Sequence, residues 1–225
     1  MSFKSLEEMN SKLVRCRRCP RLVKFRVAVA KRNSRFLGES FWSRPVPGFG
    51  NIDSRLLILG LAPAATGGNR TGRVFTGDKS ASFLFSCLYD VGLSNKPDSV
   101  SKDDGLRLED LYITAVLKCV PPSDKPTRQE LSNCSDYREF EIEHMKNLKV
   151  ILTLGKIAFD ICKAYYKSKG YDVSGLVFKH GAAYRLGGVW LYASYHPSPR
   201  NVNTGRLTKV RFVNVLSEIR DKFLS

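Results

Sequence analysis

Four short apolar runs constrain the fold of this chain more than any other feature. They cover residues 56–61, 111–117, 150–154 and 189–195, and segments with helical spacing lie between and after them at 82–91, 127–147, 157–167 and 209–223. A strand that is apolar on both faces is typical of a parallel sheet covered by helices on each side. The pattern therefore predicts an α/β fold, and the chain length predicts one domain spanning residues 1–225.

Local signals refine this prediction. Thr127, followed by Glu130 three residues later, predicts a capping box at the start of a helix over 127–147. Residues 182–189 predict a short hairpin before the last strand. Residues 31–51 read as a long ordered loop and residues 95–105 as a surface excursion.

The charge balance indicates a polyanionic partner. The chain has 37 lysines and arginines against 21 aspartates and glutamates, a formal net charge of +16. Nucleic acid is the favoured partner, because each neutralised phosphate releases condensed counterions. An anionic membrane or an acidic protein is the alternative.

No membrane segment is expected in this chain. The longest apolar stretch, residues 56–65, is far shorter than the roughly 20 residues that a membrane span needs. The N-terminus does not resemble a secretory signal. We therefore expect a soluble, cytoplasmic protein without a membrane partner. A monomer is expected too, since a single site acting on nucleic acid needs no second subunit.

Four of the six cysteines form a metal-type pattern. Cys16 and Cys19 are two residues apart, whereas Cys119 and Cys134 lie about 100 residues downstream, around a Pro-Pro segment. Four thiolates suit either Zn²⁺ or an iron–sulfur cluster, and the spacing does not choose between them. Four unrelated cysteines are the alternative. Cys87 and Cys162 lie on apolar helical stripes and are predicted to be core residues.

The loop after the first predicted strand, GLAPAATGGNRTGRVFTGD (60–78), carries candidate binding residues. It is a poor phosphate-binding P-loop, because Arg73 and Val74 replace the Lys and Ser/Thr that such a loop requires. We expect a pocket for a flat ring: Phe75 could stack on it, Arg70 and Arg73 could hold phosphates, and Asp78 could orient water or stabilise a sugar cation. Ordinary core packing of Phe75 and helix capping by Asp78 are the alternatives.

The loop after the last predicted strand, SYHPSPRNVNTGR (194–206), carries His196. Its position between a strand end and Pro197 holds the imidazole rigidly, where it can donate a hydrogen bond to an oxygen that gains charge. A histidine bonded to a neighbour is the alternative. His144 and His180 are predicted to be surface residues. Because ligands bind beyond the carboxyl ends of parallel strands, we expect the two loops to converge.

These two loops, together with CRRCPRL and LKCVPP around the cysteines, resemble the uracil-DNA glycosylase superfamily, specifically its iron–sulfur-containing type-B branch, family five. The resemblance runs from Cys16 to about Thr208. It implies a three-layer α/β/α fold with a four-stranded, mainly parallel central sheet, and a [4Fe–4S] cluster on Cys16, Cys19, Cys119 and Cys134. It also implies a monofunctional repair enzyme that flips uracil out of double- or single-stranded DNA and hydrolyses its glycosidic bond.

The resemblance assigns roles to individual residues. Asp78 and His196 would be catalytic. The substrate would lie against Ala62, Pro63, Ala64, Ala65, Phe75 and Asn69, and the DNA against Arg70, Arg73, Arg200 and Asn201. Arg200 would fill the gap left by the flipped base or grip a phosphate.

Two departures from the wider superfamily affect these roles. Other branches carry a polar catalytic residue where this chain has Ala64 or Ala65, so the role of helper passes to Asp78. Ala115 stands where related iron–sulfur enzymes carry an asparagine that reads the uracil edge. Its loss predicts tolerance of hypoxanthine and other deaminated bases. A non-enzymatic nucleic-acid-binding module stapled by a four-cysteine metal site is the competing interpretation.

Overall fold

A single mixed sheet organises the molecule. The computed structural model describes residues 3–32, 36 and 38–224. Its six strands lie in the order β1-β3-β2-β4-β6-β5. They are β1 (Phe49–Gly50), β2 (Leu56–Gly60), β3 (Leu111–Ala115), β4 (Val150–Leu154), β5 (Ala183–Leu186) and β6 (Val189–Ser194).

The four predicted strands are the four central ones, and they pair with one another only in parallel. The expected four-stranded sheet is therefore correct for the centre, but the whole sheet has six strands. The two additional strands, β1 and β5, are short and pair antiparallel at the edges. β5 and β6 form the hairpin predicted for residues 182–189.

Helices precede the sheet and cover it. They are α1 (Leu6–Val14), α2 (Pro20–Arg32), α3 (Gly68–Thr71), α4 (Lys79–Asp90), α5 (Arg128–Asn133), α6 (Ser135–His144), α7 (Lys156–Ser168), α8 (Pro199–Asn203) and α9 (Lys209–Phe223). A 3₁₀ turn spans Pro122–Asp124. Within the described part of the chain, no helix is both long and apolar enough to cross a membrane.

The predicted helix over 127–147 is two helices in the structure. Its capping box is present, with Thr127 and Glu130 bonded to each other's backbone. Cys134 ends α5 and precedes α6, and its thiol points into a buried cavity described below.

Residues 33–35 and 37 of the expected loop over 31–51 lie outside the described residues; the rest of that segment includes the end of α2 and the short strand β1. Residues 95–105 are mostly exposed, as predicted.

The sheet buries both faces. Along β2, Leu56 and Ile58 join one core cluster with α4 and α9, whereas Leu57 and Leu59 join a second cluster with α6 and α7. This alternation accounts for the continuous apolar runs, because every residue of the strand meets a helix on one side or the other. The three-layer α/β/α arrangement is confirmed.

A third core cluster lies beside the sheet and joins α1 and α2 to the end of β3 and to α6. It contains Met9, Leu13, Leu22, Leu117 and Tyr137, with Cys16, Cys19 and Cys119 partly buried against it. This cluster fixes the N-terminal helices to the segment that follows β3.

Candidate active site

The two predicted loops meet at the carboxyl ends of the parallel strands. The ring centroids of Phe75 and His196 are 6.0 Å apart, and the rings are inclined by 30°. Phe75 follows β2 and His196 follows β6, two strands that both pair with β4. Residues separated by about 120 positions in the chain therefore form one ring pair.

Phe75 has a tightly defined place in the structure. Its ring tip lies over Gly60, where a Cβ atom would come within 2.8 Å of the ring. Its own φ is +48°, a left-handed conformation that is uncommon for a bulky residue and is concentrated at functional sites. The ring is 8% exposed and belongs to the first core cluster. Core packing thus accounts for most of the ring, and only a small part remains for a ligand to contact.

Asp78 caps α4 and has one carboxylate oxygen left over. Oδ1 accepts the backbone N–H of Ala81 at 3.0 Å. The second oxygen lies against Gly67, at a position that a side chain there would occupy. Burial raises the pKa of Asp78, against the opposing effects of backbone N–H groups and of Arg70. The capping alternative is therefore correct, and it leaves Oδ2 unused by the cap.

The backbone of His196 is fixed by a hydrogen bond within its own loop. The Asn201 side-chain amide donates to the His196 carbonyl oxygen at 2.8 Å. Burial lowers the pKa of His196 to about 4, so the imidazole is neutral at physiological pH. A neutral imidazole offers one N–H donor without requiring a compensating buried charge.

An open cleft of about 510 Å³ lies between the two loops, within the size range of ligand sites. Ala64 and Asp78 from the first loop face Pro199 from the second across it. The remaining lining residues are Phe36, Thr66, Gly77, Lys79, Ser80 and Ser82.

The residues of the first loop that were predicted to contact substrate are spread over different environments. Ala64 lines the cleft, and Ala65 is half-buried. Ala62 packs against the third core cluster, and Pro63 is buried. Asn69, also expected at the substrate, does not line the cleft: its side chain is 1% exposed, and its Nδ2 donates to the Arg26 carbonyl oxygen at 3.1 Å.

The two loop arginines hold the protein together rather than standing free. Arg73 is 5% exposed and bonds Thr76, Ser99 and Asp104, so its guanidinium is engaged within the protein. Arg70 bonds the Thr66 carbonyl oxygen at 2.8 Å and the Glu39 carboxylate at 2.9 Å. These contacts brace the loop, and DNA binding by Arg70 stays a prediction.

Arg200 differs from both of them. It is exposed on the short helix α8, and its guanidinium makes no hydrogen bond or ion pair with the described residues. It is available to a phosphate or to a gap in stacked bases. The other DNA-contact candidate of this loop, Asn201, uses its amide group inside the loop.

Two residues near the site were assigned differently from the sequence, or not at all. Asp124 is close enough to Asp78 to contribute to its raised pKa. It ends the turn after β3, where Ser123 and Asp124 both have left-handed φ values of 53° and 54°. The Pro-Pro-Ser-Asp segment after the strand was the sequence signal that could have identified Asp124.

His180, predicted at the surface, is half-buried, stacked on Tyr195 and bonded to Ser194 at 3.2 Å. His144 is exposed, as predicted.

The four predicted ligand cysteines line one cavity. Cys16 and Cys19 precede α2, whereas Cys119 and Cys134 come from the chain after β3, and all four border the same enclosed space. Cys87 and Cys162 lie elsewhere in the core, both essentially inaccessible, as predicted. The third core cluster thus brings together cysteines that are far apart in sequence.

Each of these sulfurs has a protein donor or cation beside it. Arg26 donates to Cys119 Sγ at 3.0 Å, the Lys118 backbone N–H to Cys134 Sγ at 3.4 Å, and Asn133 to Cys19 Sγ at 3.6 Å. Burial raises the pKa of Cys16, but hydrogen bonds from Arg18 and Tyr137 outweigh it, and the net pKa is lowered. Donors directed at sulfur favour the thiolate form, although burial still raises the pKa of Cys119 and of Cys134 above that of an ordinary thiol.

The arrangement does not converge on a single point. Among the described residues, no group of three or more Cys, His, Asp or Glu side chains is placed to hold one metal ion. The cysteines instead surround a space. By donor type, four thiolates around one space suit either Zn²⁺ or an iron–sulfur cluster.

Comparison with known proteins agrees with the geometry. A family model described as the uracil DNA glycosylase superfamily matches residues 47–220. The type-5 uracil-DNA glycosylase of Pyrobaculum aerophilum is 48% identical over 93% of this chain and 90% of its own length. The type-5 enzyme of Thermus thermophilus is 48% identical over 92% of this chain and 94% of its length. A type-4 uracil-DNA glycosylase of Thermotoga maritima is 31% identical over 68% of this chain and 69% of its length.

Proposed function

This chain belongs to the uracil DNA glycosylase superfamily, and from that premise we propose that it is a uracil-DNA glycosylase that repairs deaminated bases in DNA. The observation that carries the proposal is the pairing of Phe75 with His196 near the cleft that Asp78 lines. A buried aromatic ring, a neutral donor and a carboxylate are the groups that cleavage of a base from its sugar requires.

The reaction begins with eversion of the damaged nucleotide into the cleft. Eversion costs about a few kcal/mol, least for a mispaired base. The accessible part of Phe75 receives the base, and Arg200 reaches the vacated stack or the adjoining phosphate. Arg200 suits this role because no described protein group occupies its guanidinium.

Bond cleavage separates two opposite charges. The C1′–N bond breaks, its electron pair leaves with the base, and the sugar becomes cation-like. The neutral imidazole of His196 donates a hydrogen bond to the oxygen of the departing base, with backbone amides of the loop near Ala64 beside it. Water then adds to C1′ and gives up a proton.

Asp78 stabilises the sugar cation and accepts that proton. Its Oδ1 is fixed by the helix cap, which leaves Oδ2 to act. Burial of the carboxylate raises its pKa, so it is a stronger base than an ordinary aspartate. Asp124 adds a second negative charge close enough to Asp78 to help raise its pKa. We propose that no lysine acts as a nucleophile and that the enzyme is monofunctional.

The range of substrates follows from the end of β3. Ala115, at this strand end, is 3% exposed and has no side-chain amide that could read the edge of the base. A pocket without that hydrogen bond loses little when the ligand changes. We therefore propose that hypoxanthine and other deaminated bases are accepted alongside uracil.

We propose that the cysteine cavity binds a [4Fe–4S] cluster through Cys16, Cys19, Cys119 and Cys134. Support comes from the shared cavity and from the donors beside the sulfurs. The bound cluster would act as a structural cross-link between the N-terminal helices and the chain after β3. The protein is proposed to act as a monomer, in the cytoplasm, on double- or single-stranded DNA.

An oligonucleotide assay tests the proposal. Duplexes with one uracil are incubated with the protein and treated with alkali, which breaks the strand at abasic sites. We expect cleavage at the uracil position, no cleavage before alkali, and cleavage of a hypoxanthine duplex as well. Binding without any abasic site would favour the non-enzymatic binding module instead.

A further inference from the structure

We infer that Asn69 is a positioning residue that couples the cysteine cavity to the catalytic loop. The inference rests on the proposed function for the role of the loop and on the proposed cluster for the contents of the cavity. Asn69 lies on α3, between the cleft and the cysteines, and is 1% exposed. Its hydrogen bonds connect residues next to the cysteines with a residue that lines the cleft.

The first connection runs through α2. Arg26 is 4% exposed, and its guanidinium donates to Cys119 Sγ at 3.0 Å and to the Cys16 carbonyl oxygen at 3.2 Å. The carbonyl oxygen of the same residue accepts Asn69 Nδ2 at 3.1 Å. One residue therefore contacts two of the four cysteines with its side chain and Asn69 with its backbone.

A second connection starts from another cysteine. The Lys118 backbone N–H donates to Cys134 Sγ, and its carbonyl oxygen accepts the N–H of Val46 at 2.7 Å. Three residues before Val46, the N–H of Ser43 donates to the Asn69 carbonyl oxygen at 3.0 Å. Both connections end on Asn69, one at its side chain and one at its backbone.

Asn69 passes these constraints to the wall of the cleft. Its N–H donates to the Ala64 carbonyl oxygen at 3.0 Å, and Ala64 lines the cleft opposite Pro199. The donor Nδ2 is the part of the side chain in use, because Oδ1 is buried without a hydrogen-bond partner. Asn69 therefore contributes a hydrogen-bond donor to α2. Its Oδ1 is buried without a hydrogen bond, which is unfavourable for stability, so the stabilising contact of this side chain is the one made by Nδ2.

The experiment compares two variants of the holoenzyme. Asn69→Leu removes the donor and keeps the number and branching of the side-chain heavy atoms. Asn10→Leu is the matched control, since Asn10 also has a buried Oδ1 without a partner but lies on α1, outside the first loop. The measurements are iron content, kcat and KM on uracil DNA, and hydrogen exchange of residues 62–78.

We expect Asn69→Leu to keep its iron and its KM, to lose about 100-fold in kcat and to exchange faster over residues 62–78, because small misplacement of catalytic groups is costly. Asn10→Leu should match the unmutated protein in all four measurements. An iron-replete Asn69→Leu protein with unchanged kcat and unchanged exchange would overturn the inference.

A second arm removes the cluster from the unmutated protein with a chelator and an oxidant. Residues 62–78 should then exchange faster, while β4 stays protected as a check that the core remains folded. Faster exchange confined to residues before 30 would contradict the coupling. If β4 also loses protection, the holoenzyme variants alone decide. Failure of the proposed function is distinguishable, because the exchange measurements do not depend on glycosylase activity.

Discussion

The cleft and the cysteine cavity are built on opposite principles. Asp78 in the cleft and His196 near it have few partners, and burial shifts both of their pKa values toward the neutral forms. In the cavity, protein donors already surround the sulfurs. The cleft keeps unspent hydrogen-bonding capacity for a substrate that enters and leaves, whereas the cavity is arranged for a permanent occupant.

The predicted DNA contacts also differ among themselves. Arg73 and Arg70 were expected to meet phosphates, yet both spend their guanidinium groups on holding the first loop. Arg200, from the second loop, does not. The first loop, held by Arg70 and Arg73, is suited to orienting the base. The second loop, which carries Arg200, is suited to contacting the DNA.

The largest effect is expected for Asp78→Asn. Asparagine caps a helix about as well as aspartate, so α4 should stay intact while the negative charge is lost. We expect kcat to fall by about 10²- to 10⁴-fold, with DNA affinity unchanged. Thr208→Ala is the control, because it removes the cap of α9 without touching the cleft; it should cost about 1 kcal/mol of stability and leave kcat alone.

The same residue predicts a pH dependence. Only the ionised carboxylate stabilises the sugar cation, and burial raises the pKa of Asp78. The rate should therefore fall as the pH drops through that raised pKa, at a higher pH than an ordinary aspartate would give. A rate profile with no acid limb, or one that survives in Asp78→Asn, would assign the base to another group.

His196→Ala comes next in size. Loss of one preorganised donor to a developing anion costs about 10²- to 10³-fold in kcat. Because the histidine is neutral above about pH 4, raising the pH from 5 to 8 should not change the contribution of its charge. Equal losses in kcat and in DNA affinity would show that His196 binds DNA rather than the departing base.

Cysteine variants test the other half of the comparison. Cys119→Ala should abolish the absorbance of the proposed cluster at about 400 nm and lower the melting temperature. Cys87→Ala, in the core away from the cavity, should keep the colour. If Cys87→Ala lowers the free energy of unfolding by about 1 kcal/mol, the melting temperature should fall by only about 2–4 °C. Retention of colour by the Cys119 variant would remove Cys119 from the ligand set.

The smallest effect is expected for Arg200→Ala. If the guanidinium contacts one phosphate, the slope of log affinity against log salt concentration should decrease by about 1, and binding should weaken equally for all sequences. Affinity measured across a salt series checks this. An unchanged slope with a lower eversion rate would assign Arg200 to the vacated stack.

The sequence predicted the central strands because burial on both sheet faces leaves a continuous apolar run. It did not predict α1 or α2, whose apolar residues pack on the cysteine cavity rather than on the sheet. It also gave one helix over 127–147, because no glycine or proline in the sequence marks the break that the chain makes at Cys134. Edge strand β1 is two residues long, too short for any alternation to show.

In the site, residue types were predictable but their orientation was not. The motifs identified Asp78, Phe75 and His196, whose positions follow from strand ends and close-packed glycines. They could not show that Asn69 and Arg73 face inward, because that depends on Arg26 and Asp104, which are distant in sequence. Asp124 was missed because its part in the site depends on a left-handed turn.

The central claim is that the slot beside Phe75 and His196 receives an everted base and stabilises the charge of its departure. A crystal structure with duplex DNA containing an uncleavable fluorinated deoxyuridine tests it most directly. The account predicts that the uracil lies on Phe75, with a His196 nitrogen about 2.7–3.2 Å from a uracil oxygen. A uracil that is everted but bound elsewhere, with His196 facing only protein, would contradict it.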